Sequence, residues 1–162
     1  MSFDGSRAYG AFHRRVIYPL RSRKNGDYAL DHLREYEHTQ YLPAERLREM
    51  QWERLRVLLR HAYDRCPFYR EHWGRADIHP DEIRGFDDFA RLPPVTKRDI
   101  QEHAQRMVRD DLPRDRLVQN RTGGSTGEPL VFYLDRDRVR SRAASSIRHD
   151  RWAGKDIGTL YA

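Results

Sequence analysis

The stretch that most constrains this chain is Thr122-Gly123-Gly124-Ser125-Thr126-Gly127-Glu128-Pro129. It packs three glycines and three hydroxyls between two runs that read as strands, residues 116–121 and 130–134. Both runs have alternating or continuous apolar character with β-branched and aromatic residues. A tight hairpin needs only roughly two to five connecting residues. This connection is longer, and its composition suits an anion. Glycine lets backbone N–H groups turn toward a phosphate and approach it closely. Ser125 and Thr126 add hydroxyls that can donate to phosphate oxygens or reach a phosphate-bound Mg²⁺. The stretch is not a Walker-type loop, because Glu128 follows Gly127, no lysine comes after it, and a strand rather than a helix is next. The residues alone leave two readings open, a phosphate cradle or a flexible Gly/Ser connection.

The 162 residues suffice for one domain with its own core. The charged fraction is 35% and the mean hydropathy −0.98. Against that polarity, a 38% hydrophobic fraction with nine Tyr, six Phe and three Trp argues for folding rather than disorder. The net charge is +6, but the basic residues are interleaved with 25 acidic ones. Solvated helix faces account for most of them, so a massed nucleic-acid surface is not indicated. The single cysteine, Cys66, excludes an internal disulfide framework and lacks metal-ligand spacing. It reads as a half-buried thiol at the end of a helix. No signal peptide and no membrane span is evident, and the chain is expected to be cytoplasmic.

Along the chain, residues 1–40 read as a poorly defined amino-terminal arm. Tyr9, Phe12, Val16, Ile17 and Leu20 form a helical stripe that Pro19 interrupts, and a basic loop with a turn at Asn25-Gly26 follows. A strong helix is predicted from Ala44 to Arg65, free of Gly and Pro. Its apolar face is Trp52, Leu55, Leu59, Ala62 and Cys66, widened by Leu58 and Tyr63. Cys66-Pro67 ends it. Phe68, Tyr69 and Trp73 belong to a short second helix packed on the same core. Brief helical turns are expected at residues 80–83 and 87–89. Thr96 and Asp99 have the spacing of a capping pair for a helix to about residue 108, and Lys97 stands exposed at its start. Asp135 is placed to cap a helix to about residue 153, with Val139, Ala143, Ile147 and Arg151 on one face. Residues 159–162 read as the start of a strand, so the chain is expected to be the front part of a longer protein.

At this level the chain resembles the adenylate-forming superfamily, and within it the phenylacetate–CoA ligase family. The glycine loop resembles that superfamily's phosphate loop. Three further blocks agree in order and spacing: Leu58-Leu59-Arg60-His61-Ala62-Tyr63-Asp64-Arg65-Cys66-Pro67-Phe68-Tyr69, Phe86-Asp87-Asp88-Phe89-Ala90-Arg91-Leu92-Pro93, and Val95-Thr96-Lys97-Arg98-Asp99-Ile100. The resemblance covers roughly residues 45–162. The form Gly-Gly-Ser-Thr-Gly-Glu-Pro-Leu is most similar to the branch associated with capsular and other surface polysaccharide synthesis. The phenylacetate-acting ligases more often have Ser-Ser-Gly-Thr-Thr-Gly there. Much of the superfamily also has lysine after the proline, where this chain has Leu130.

The resemblance implies a two-step reaction. A carboxylate attacks the α-phosphate of Mg·ATP, giving an acyl-adenylate and pyrophosphate, and a thiol such as coenzyme A then displaces AMP. It implies that Thr122, Gly123, Gly124, Ser125, Thr126 and Gly127 bind the nucleotide phosphates, with ATP, Mg²⁺ and coenzyme A as cofactors and a small carboxylic acid as substrate. It also implies that the metal-binding acidic residue and the catalytic lysine lie beyond Ala162, so that this chain alone is inactive and its catalytic residues are unassigned. The fold expected is α/β. An amino-terminal helical layer leads into the first strands of the large domain, which begins near residue 41, and the domain's carboxy-terminal side is incomplete here. The alternative is a non-catalytic basic module that binds nucleotide, or nucleic acid through the arginine-rich helix 136–151.

Overall fold

The predicted long helix is present from Ala44 to Arg65 (α4), with the boundaries its sequence gives. We describe the fold from a computed structural model, in which residues 5–24, 29–123 and 129–159 are described. Before α4 come α1 (Gly5–Phe12), a π-helical turn (His13–Ile17), α2 (Tyr18–Lys24) and α3 (Ala29–Thr39). After it come α5 (Pro67–Gly74), a 3₁₀ turn at Pro80–Glu82, α6 (Phe86–Phe89), α7 (Lys97–His103) and a second 3₁₀ turn at Arg114–Arg116. Strands β1 (Val118–Arg121) and β2 (Val131–Leu134) and the helix α8 (Arg136–Trp152) complete the order. The described part is thus mostly helical with one two-stranded antiparallel sheet. Two compact units are present: Pro43–Asp135 forms one, and the segments before and after it form the other. Among the described residues no helix is long and apolar enough to cross a membrane.

In the unit 43–135, the core is Leu59, Trp73 and Ile83, each 5% exposed or less. Trp52, Leu55, Ala62, Tyr63, Tyr69, Ile78 and Leu92 pack against it. The helical period of α4 therefore selects the right residues, with one exception. Leu58, placed on this face from the sequence, is 60% exposed. It lies at the rim of the stripe, and Leu55, Leu59 and Ala62 already fill the space beneath α4. Cys66 is buried where α4 gives way to α5.

The junction of α4 and α5 leaves helix-end groups that need partners. The turn after α7 supplies two of them: Phe68 N–H donates to the Arg106 carbonyl at 3.1 Å, and Asp110 N–H donates to the Arg65 carbonyl at 2.8 Å. This is why α7 ends at His103 rather than continuing to residue 108. The chain must turn there for these groups to meet. The other end of α5 is a Schellman motif, in which Ile78 N–H reaches the Trp73 carbonyl and Asp77 N–H the Gly74 carbonyl. Asp77, at φ +54°, takes the left-handed position, a conformation that short polar side chains tolerate. Ile78 and Trp73, the hydrophobic pair of that motif, meet in the core.

In the other unit, the arm read as poorly defined is helical over residues 5–24 and 29–39. Pro19 does not interrupt it. The Tyr18 N–H reaches back to the His13 carbonyl in a wide π turn just ahead of the proline. Proline has no N–H, and its ring collides with the carbonyl four residues back in a regular helix, a conflict that a local π turn accommodates. The predicted turn at Asn25-Gly26 lies outside the described residues, as does the strand expected at 159–162 apart from Thr159, whose N–H closes a turn onto the Asp156 carbonyl.

Helices α3 and α8 pack together and run in the same sense. His32 meets Asp137, Arg148 lies over the Tyr36 ring, Arg151 pairs with Glu37, and Trp152 donates to Gln40. The residues buried in these helices are mostly small: Ala29, Leu33, Ser141 and Ala144. Val139 and Ala143, expected on the packed face of α8, are exposed, because Ser141 and Ala144 take that place.

Candidate functional site

The glycine loop is the connection of a β-hairpin whose register pairs Val118 with Leu134, Gln119 with Tyr133, Asn120 with Phe132 and Arg121 with Val131. One step past the last pair, Thr122 and Leu130 close the neck. Thr122 N–H donates to the Leu130 carbonyl at 3.0 Å, and Leu130 N–H donates to Thr122 Oγ1 at 2.9 Å. The threonine side chain thus supplies an acceptor that the backbone ladder lacks at this point. Among the described residues, this pair of bonds brings the two ends of the glycine stretch together.

Of the residues singled out in the sequence, Thr122 forms this neck and Gly123 is the first residue inside it. Gly124, Ser125, Thr126 and Gly127 lie outside the described residues. Within the described residues, nothing comes within 4 Å of where a Gly123 Cβ would sit. Packing against the described residues therefore does not require glycine at 123, and they leave the space above its backbone open for close approach by another molecule.

Three groups at the neck can donate to a ligand. Thr122 Oγ1 spends a lone pair on Leu130 and keeps its own proton to give. Among the described residues the Gly123 N–H has no acceptor, and the exposed Arg121 guanidinium has no acidic partner. This donor set fits a phosphate and leaves no described carboxylate to oppose it. Arg121 was read from the sequence only as a strand residue. Its place one step below the loop depends on the hairpin register.

A brace fixes the hairpin from the other side. Gln105 Nε2 donates to Tyr133 Oη at 2.8 Å, and Arg114 donates to the Gln105 carbonyl at 3.2 Å while its guanidinium lies 5.9 Å from the Tyr133 ring. These three residues are separated by up to 28 positions in sequence, and no local pattern marks them.

Lys97 is exposed in the first turn of α7. The cap ahead of it is as predicted. Thr96 Oγ1 accepts from Asp99 N–H at 3.2 Å, and the Asp99 carboxylate accepts from Thr96 N–H at 2.8 Å and from its hydroxyl. Those two bonds hold the Asp99 carboxyl below the usual carboxylate range. Nearby, Arg109 hydrogen-bonds Asp111 and brings its carboxyl to about 2, with Arg65 adding to the effect. Cys66 is moved the other way. Burial, then the charge of Asp110, pushes its thiol above its ordinary value, so it is a poor nucleophile. Among the described residues no group of three or more His, Cys, Asp and Glu side chains could hold a metal ion.

In α8, two arginines are engaged within their own unit. Arg148 lies over the Tyr36 and Trp152 rings, and Arg151 is paired with Glu37 and Asp156. The helix therefore offers fewer free cations to a nucleic acid than its sequence suggests.

No family model matches the chain. Similarity to individual proteins is clear. The chain is 36% identical over 120 residues to a phenylacetate–coenzyme A ligase from Thermus thermophilus, covering 74% of this chain and 27% of that protein. It is 32% identical over 109 residues to the Pseudomonas putida protein of the same name, covering 67% and 25%. The Escherichia coli K12 protein of that name is 30% identical over 109 residues, with the same shares. The chain thus has distant homology to phenylacetate–coenzyme A ligases over about 70% of its length, and spans about a quarter of the length of these relatives. All three carry the ligase name, and nothing in them supports the polysaccharide branch suggested by the loop's exact form.

Proposed function

We propose that this chain supplies the phosphate loop of an AMP-forming ligase that joins a carboxylic acid to a thiol. Residues 41–162 would be the amino-terminal part of its large nucleotide-binding domain, and the hairpin the first piece of a larger sheet. The observation that carries this reading is the neck of the glycine loop. Three donors at the neck, and an approach over Gly123 left open by the described residues, occur in a chain homologous to phenylacetate–coenzyme A ligases.

ATP, when bound, supplies the adenylyl group and the pyrophosphate leaving group. The role of Thr122, Gly123, Gly124, Ser125, Thr126 and Gly127 is to hold the β- and γ-phosphates with donors fixed before the charge develops, which is where such donors act most strongly. Thr122 also sets the position of the loop. Arg121 adds a cation at its base. Mg²⁺ accompanies the nucleotide, coenzyme A is the acceptor and an arylacetic acid the substrate that the relatives' name brings to this chain. These co-substrates fit a cytoplasmic protein. Turnover is assigned to the whole polypeptide, and residues 1–162 by themselves are expected to bind nucleotide without exchanging pyrophosphate.

ATP–pyrophosphate exchange in the whole polypeptide tests the assignment. Gly124→Val and Thr126→Ala should each lower exchange by about tenfold or more, the scale on which lost transition-state donors act. Unchanged exchange in both variants would remove the loop from the reaction.

A further inference from the structure

The helical run from Gly5 to Lys24 contains no acidic residue. It shows four large apolar side chains to solvent: Tyr9, Phe12, Val16 and Leu20, between 39% and 61% exposed. Their spacing of three, four and four residues places them along one side of a helix. Arg15, Arg21, Arg23 and Lys24 are exposed beside them, with no ion-pair partner among the described residues. The opposite side of the run is occupied. Arg14 is paired with Asp156 at 2.7 Å. Gly10 lies so close to the turn at Gly158 (φ +82°) that a Cβ on either residue would come within 3.1 Å of the other's carbonyl oxygen. Anchored by Gly10 and Arg14, the run turns its apolar and cationic face outward.

We propose that this face binds an anionic phospholipid surface, with the run lying in the plane of the membrane. Tyr9, Phe12, Val16 and Leu20 would enter the boundary between headgroups and acyl chains. The flanking arginines and lysine would extend their stems along the same boundary and place their charges among the phosphates. Charge decides the occupant. A second copy seated on this face would set cations against cations, with no acid from either run to offset them. An uncharged apolar partner would leave the same four cations without counter-charges. This inference is independent of the role given to the glycine loop.

Flotation of the 162-residue chain with vesicles tests it. The chain should float with vesicles of phosphatidylcholine and phosphatidylglycerol, be released by salt, and stay behind with phosphatidylcholine alone. Arg21→Gln with Arg23→Gln should weaken binding about thirtyfold, at roughly 1 kcal/mol per cation. Phe12→Ser with Leu20→Ser should abolish flotation with an unchanged circular dichroism spectrum, since both side chains are already exposed. Four results would overturn the proposal: no flotation with the anionic vesicles, equal flotation with neutral ones, full binding by the serine variant, or a dimer in sedimentation that the serine variant dissolves.

Discussion

Thr122 grips Leu130 at both backbone poles, donating its N–H to the carbonyl and accepting the leucine N–H on Oγ1 at 2.9 Å. The second of these bonds is a side chain standing in for a strand. It makes Thr122 a positioning residue as well as a member of the loop. Thr122→Val keeps the shape and removes the acceptor. We expect a loss of about 1 kcal/mol in urea unfolding, the net worth of one such hydrogen bond. Amide exchange at Leu130 should also speed up, and Thr122→Ser should restore both. Unaltered exchange at Leu130 in the valine variant would mean the neck is closed by something else.

The core of the unit 43–135 depends on Trp73, which is 4% exposed, stacks on Tyr63 and meets the Tyr69 ring at a tilt. Truncating it removes the contact that holds α5, the Schellman turn and Ile83 together. Trp73→Ala should cost about 3–5 kcal/mol, read as a lowered urea midpoint. Leu58→Ala, a change on the same helix, should lie within about 0.5 kcal/mol of wild type because Leu58 is exposed. Equal losses in the two variants would contradict the placement of the core.

Acid should weaken the fold in a defined window. The Asp111 carboxyl titrates at about 2 in the folded chain, held there by hydrogen bonds from Arg109, against roughly 3.9 when unfolded. A folded value below the unfolded one stabilises above the unfolded pKa, and the contribution is lost as pH falls through the folded one. Asp99 is shifted in the same direction. The urea midpoint should therefore fall between pH of about 4 and about 2. Asp111→Asn should start from a lower midpoint at neutral pH and show a shallower fall in that window. A fall as steep as wild type would show that this pair is not responsible.

How much of this was legible follows from where the forces act. Helix α4 was readable to its last residue because its signals are local: an uninterrupted period, and Cys66-Pro67 as the stop. The Thr96–Asp99 cap was readable for the same reason. Helix α3 was not. Its buried residues are only Ala29 and Leu33, and its partner, α8, lies more than 100 positions away in sequence. Of the α8 face expected from Val139, Ala143, Ile147 and Arg151, the first two are exposed, because close helix packing there uses Ser141 and Ala144. At the loop, glycines and hydroxyls are the local signal on which the proposed phosphate site rests. The two-bond neck, the place of Arg121 beside it and the Gln105–Tyr133 brace depend on strand register and tertiary contact, which composition does not carry.

Phosphate binding at the glycine loop is tested most directly by the amide spectrum of the ¹⁵N-labelled 162-residue chain during titration with Mg²⁺ and pyrophosphate. Binding at the loop predicts saturable shifts at Gly123, Gly124 and Thr126, a smaller shift at Leu130 transmitted through Thr122, and loss of all of them in Gly124→Val. Loop amides that stay in place while resonances elsewhere move, or shifts that persist unchanged in Gly124→Val, would contradict it.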